Sequence, residues 1–117
     1  MEVFIEKITG IFFLSGVIFL VAGIILYSFP PKKINHLYGY RTKRSMNSQE
    51  AWDFAQKDSA KQMFKAGVIM IILGVVTLLA ETNEVFNLIA GLAALIGSAV
   101  YVLYFTEKKL KDKFEKI

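Results

Sequence analysis

The side chains best suited to chemistry lie between Asn35 and Asp53. Arg41 followed by Thr42 is the strongest pair. A guanidinium forks onto a phosphate or carboxylate through two parallel N–H bonds, and a neighbouring hydroxyl adds a donor. The natural targets are a phosphate-bearing lipid headgroup or an acidic peptide. The competing reading is a basic anchor at the membrane surface that binds nothing in particular, and Lys43 and Arg44 read that way. Glu50 and Trp52 also admit two readings. They pair with Arg41 and shape a pocket, or they are a helix cap and an interfacial ring. Asn35 suits a loop whose backbone is held by a side-chain amide, and Gly39 permits a tight turn. Tyr38 and Tyr40 fit the headgroup level, where an apolar ring and a polar tip both find partners. Asp53 stands three residues after Glu50, on a helix face that reads as solvated rather than as a carboxylate pair. His36 is the one histidine and there is no cysteine. A metal cluster, a disulfide and a thiol nucleophile are therefore not expected. With no credible nucleophile–base pair either, the expectation is a protein that is not an enzyme and uses no cofactor.

These residues must be positioned by a chain that is 117 residues long and 55% hydrophobic, with its apolar residues in long blocks. Ile8 to Phe29 is 22 residues without a charge. At 1.5 Å per residue it spans about 33 Å, enough for a hydrocarbon core of about 30 Å. It is too long for a signal-peptide core, and its basic residues follow rather than precede it. A second run covers residues 63–80, with Lys65 near its start able to snorkel. A third, 85–105, carries no charge. The predicted fold class is an all-α integral membrane protein, one domain over 1–117, with three transmembrane helices at 8–29, 63–80 and 85–105.

Orientation follows the Lys/Arg bias. Residues 30–61 carry seven basic side chains and the tail 106–117 carries five. The N-terminus has only Lys7, and the short connection from Glu81 to Glu84 has none. The loop and tail are therefore expected in the cytoplasm and the N-terminus outside.

The loop divides in two. Residues 30–46 form a motif segment that begins with Pro30 and Pro31, which stop the first helix. Residues 47–62 read as an additional cytoplasmic amphipathic helix, opened by an Asn47–Glu50 capping box. Trp52, Ala55, Ser59 and Met63 recur on one face, and Asp53, Gln56, Lys57 and Lys61 on the other. This helix either bends at the interface or runs straight into the second span. In the tail, Leu110, Phe114 and Ile117 share a face ringed by lysines, suited to anionic lipid or to docking on the loop.

Small residues at Ser15, Gly16, Gly23, Gly67, Gly74, Ala90, Ala94 and Ser98 allow close helix contact in lipid. They fit packing within one bundle; a homodimer seam is the competing reading. No acid, arginine or histidine lies deep in a span, which argues against a pump or an ion-coupled transporter.

The stretch from Asn35 to Trp52 resembles the signature of the SdpI-type bacterial immunity family. The matching positions are Asn35, Gly39, Arg41, Thr42, Ser45, Met46, Glu50 and Trp52, with Tyr40 as the aromatic residue before the arginine. The order of spans is also similar, one before the motif and two after. The chain resembles a minimal, three-helix member of that family. The resemblance implies a protein of the bacterial cytoplasmic membrane whose working surface is the motif loop. The family's namesake protects its producer from a secreted toxic peptide and captures a repressor at the membrane. The partners implied are thus a toxic peptide, a cytoplasmic repressor and membrane lipids, with no direct nucleic-acid contact. Lipid-headgroup handling through Asn35, Arg41, Thr42 and Glu50, or service as an accessory subunit of a larger complex, are the alternatives.

Overall fold

A computed structural model describes residues 10–115. Three helices follow in order: α1 (Ile11–Ser28), α2 (Gln49–Leu79) and α3 (Glu84–Phe114). Each is long and apolar enough to cross a membrane. The expected start of the first span at Ile8, together with Lys7, lies outside the described residues, as do Lys116 and Ile117.

The additional amphipathic helix does not exist as a separate element. Residues 49–62 are the first half of α2, which continues without a break for 31 residues, about 46 Å. No proline or glycine interrupts the segment before Gly67, so nothing in it forces a bend. The expected capping box does not form. The N-cap is Ser48, whose side chain accepts from the Ala51 N–H. The Asn47 N–H donates to the Arg44 carbonyl, one turn earlier. The tail is not separate either: α3 runs through the expected end at 105 to Phe114.

α2 and α3 form an antiparallel hairpin. Ala80 caps α2, Glu81 adopts a left-handed φ of 54°, and the Asn83 side chain caps α3 by accepting from the Phe86 N–H at 2.7 Å. The N-terminal half of α2 and the C-terminal turns of α3 therefore extend past the apolar spans at the same end. α1 lies against α2 at backbone distance: a Cβ on Gly67 would sit 2.6 Å from the Leu20 nitrogen. Ser15, Gly16, Gly23, Gly67 and Gly74 are all buried, while Ala90, Ala94 and Ser98 on α3 are half-buried. With no hydrophobic drive between helices in lipid, such close approach supplies the dispersion contacts that hold α1 to α2.

Candidate functional site

The polar end of the bundle is where the motif segment sits. Pro30 and Pro31 end α1, and the chain then folds back over α2. The Asn35 side chain shapes this return. Its Oδ1 accepts from the Leu37 and Tyr38 N–H groups at 2.9 and 2.8 Å, and its Nδ2 donates to the Lys33 carbonyl. The Tyr38 hydroxyl donates to the carbonyl of Phe29 at 2.9 Å. Gly39 has φ 104°, and a Cβ there would lie 2.5 Å from Gln56 Oε1. Only glycine satisfies both conditions.

Beyond Gly39 the loop pairs with α2 as a strand pairs with its neighbour. The Tyr40 N–H donates to Gln56 Oε1 at 2.7 Å, and Gln56 Nε2 donates to the Tyr40 carbonyl at 2.8 Å. Gln56 was expected on a solvent face; it is fully buried, because the loop covers it. Thr42 and Ser45 then close a tight turn. The Ser45 hydroxyl accepts from the Thr42 N–H at 2.8 Å, and Thr42 Oγ1 accepts from the Ser45 N–H at 3.2 Å. The Met46 N–H donates to the Thr42 carbonyl at 3.0 Å.

Glu107 of α3 is the residue on which this loop converges. Its Oε2 accepts from the Tyr40 hydroxyl at 2.7 Å and from the Thr42 hydroxyl at 2.8 Å. Its Oε1 lies 3.5 Å from Arg44 Nη1, and Arg44 Nε pairs with Glu115 at 3.0 Å. Burial, followed by the Glu107 carboxylate, pushes the Tyr40 phenol above its ordinary range, so Tyr40 stays a donor to that carboxylate.

Further contacts from Trp52, Asp58 and the end of α3 clamp the arrangement. Trp52, fully buried, donates its indole N–H to the Pro31 carbonyl at 2.7 Å. Asp58, buried on α2, accepts from Thr106 and from Lys109 Nζ, both at 2.9 Å, which joins α2 to α3. Leu110 packs with Ala51 and Ala55, and Phe114 meets Phe54 edge-on at 5.9 Å. Leu110 and Phe114 thus dock the tail against α2, while Ile117, expected on the same face, lies outside the described residues. Among the described residues no buried side-chain nitrogen or oxygen lacks a partner.

The motif residues therefore divide. Asn35, Gly39, Tyr40, Thr42, Ser45 and Met46 are built into one folded strap, which Trp52 of α2 pins through its bond to Pro31. Arg41 and Glu50 are not. Arg41 is exposed and donates to the His36 carbonyl. Glu50 is exposed in the first turn of α2, and none of the three ion pairs among the described residues includes either side chain. Lys32, Lys33, Arg41 and Lys43 are all exposed, so the outer surface of the strap is basic. Sequence reasoning missed Gln56, Asp58, Thr106 and Glu107. Glu107 left one signal: it is the first charge after an uncharged span, in a tail otherwise read for its lysines.

The described residues hold no group of three or more His, Cys, Asp or Glu side chains placed to bind a metal. With three donors from the strap on its two oxygens, Glu107 has the surroundings of a structural carboxylate that ties the loop to α3.

Comparison with known proteins agrees with the motif. The family model described as the SdpI/YfhL protein family matches residues 32–104, which takes in the strap, all of α2 and most of α3. The chain is 40% identical over 97 residues, 83% of each chain, to YfhL of Bacillus subtilis (strain 168), an uncharacterized protein. No solved structure matches it. The matched region contains the strap from Lys32 onward, and the chain belongs to the SdpI/YfhL protein family.

Proposed function

We propose that this chain is a non-enzymatic immunity or sensor protein of the bacterial cytoplasmic membrane, acting through the basic strap in response to a membrane-active toxic peptide. The N-terminus lies outside, and the strap and tail lie in the cytoplasm. Family membership supports the immunity reading. The Lys/Arg bias supports the orientation, since the basic loop and the basic tail share one end of the bundle.

The observation that carries the mechanism is that a single side chain, Glu107 on α3, receives Tyr40, Thr42 and Arg44 of the strap. The position of α3 is thereby coupled to the position of the strap. α3 is also the least covered span, with 11% of its apolar window buried against 28% for each of the other two. A peptide entering from outside meets α3 most readily. A contact that moves α3 against α2 lengthens the Glu107 bonds and loosens the strap, exposing its inner surface to a cytoplasmic repressor. This is a two-state element biased from one side and read from the other.

The test is peptide challenge of cells with and without the protein. Protection should require it, and Glu107→Gln should change both the protective response and the rate at which trypsin cuts the strap at its basic residues. Equal sensitivity in cells with and without the protein sinks the immunity reading.

A further inference from the structure

A groove of about 310 Å³ runs between α1 and α2 at the polar end of their apolar segments. Gly23 forms its floor, where the α1 backbone meets Ala60 and Phe64 of α2. Ile24 and Tyr27 wall one side and Phe64 the other, and the lining is almost wholly apolar. No described residue of α3 lines it, so it opens sideways, where lipid lies. Lys61 and Lys65 stand at its rim, one helical turn apart on one face of α2. Both are exposed, and neither takes part in an ion pair among the described residues.

We infer that this groove binds one anionic glycerophospholipid, with an acyl chain along Gly23 and the phosphodiester held between Lys61 and Lys65. Charge and depth both favour this occupant. The groove begins where α1 leaves the apolar layer at Ser28 and Pro30, which is the level of a headgroup. Lysine stems lie along apolar surface while their ammonium groups reach the interface. A second copy of this chain would bring its own two lysines to a two-fold seam, like charge against like.

The site is distinct from the strap: none of its lining residues belongs to residues 30–48. Its test is native mass spectrometry of the delipidated full chain, titrated with dioleoylphosphatidylglycerol or dioleoylphosphatidylcholine. We expect one phosphatidylglycerol retained per chain under conditions that strip phosphatidylcholine. K61Q/K65Q should weaken that retention about thirtyfold, the scale for two lysines at an anionic surface. Ile24→Trp, which fills the groove and keeps both lysines, should weaken it as well. K108Q/K111Q, the same charge change on α3, should leave it unaltered. Equal retention of the two lipids overturns the proposal, as does wild-type retention by K61Q/K65Q. An equal loss in K108Q/K111Q would mean diffuse charge, and an unaffected Ile24→Trp would remove the acyl site; either result also overturns it.

Discussion

The two halves of α2 are one continuous helix built on opposite rules. The first half buries Trp52, Gln56, Asp58, Ser59 and Gln62. Its specificity comes from hydrogen bonds that the strap makes to Trp52 and Gln56 on one side and α3 makes to Asp58 on the other. From Phe64 onward the helix buries only Ala66, Gly67, Met70 and Gly74, and leaves Ile69, Ile72 and Val76 about half exposed. Water cannot be allowed into the first half without replacing each of those polar contacts. Lipid covers the second half at no cost, so little there needs a protein partner except where two backbones touch. The polar end should therefore respond to loss of a hydrogen bond, and the apolar end to added volume at a backbone contact.

The largest expected effect is Glu107→Leu. It removes the acceptor of two hydroxyls and an arginine at once, leaving the half-buried Tyr40 phenol without its partner. Bonds to charged acceptors and an orphaned donor together set the loss at about 4 kcal/mol. Denaturant titration in detergent micelles measures it, and trypsin should cut the strap faster. A loss below about 1 kcal/mol would mean that the strap is held by Gln56 and Trp52 alone. Gln56→Leu comes next, at about 3 kcal/mol, because both backbone groups of Tyr40 lose their partner under cover. In the apolar half the matching change is Gly67→Ala. The added methyl meets the backbone of α1, which cannot turn aside as a side chain can. Overpacking of this kind costs about 2 kcal/mol and should separate α1 from α2, read as lost protection of Leu20 and its neighbours in hydrogen exchange.

The apolar half was the legible one. Charge-free runs, flanking lysines and small residues are local signals, and lipid asks for little else. The polar end was not legible, because its bonds join residues far apart in the chain: Tyr40 with Glu107, and Asp58 with Thr106. Gln56 illustrates the failure. Its polar side chain was grouped with Lys57 as solvated, although it stands one turn after Trp52 on the same helix face, and the folded strap makes it a buried partner of Tyr40. The Asn47 cap failed differently. Asn47 and Ser48 are both good caps, and the choice between adjacent residues is made by where the strap enters the helix. The motif from Asn35 to Trp52 was found by its pattern, yet its pattern did not say that Tyr40, Thr42 and Ser45 bind one another and close on Gln56 and Glu107.

The smallest effect sharpens the contrast most. A Cβ added at Gly97 meets nothing within 4 Å. The position lies in the middle of α3, in its exposed small-residue region, where glycine weakens a helix relative to alanine. Gly97→Ala should therefore stabilise the isolated chain by roughly 0.5 kcal/mol, the opposite sign to Gly67→Ala from the same chemical change. Unfolding in excess detergent, where each micelle holds one chain, should show this gain. Repeating the measurement at high protein-to-detergent ratio asks a second question. A gain that persists leaves Gly97 facing lipid, so that only the α1–α2 contact is set by backbone proximity. A gain that turns into a loss as chains share micelles would seat Gly97 against a second copy, since only a close neighbour makes one methyl group costly.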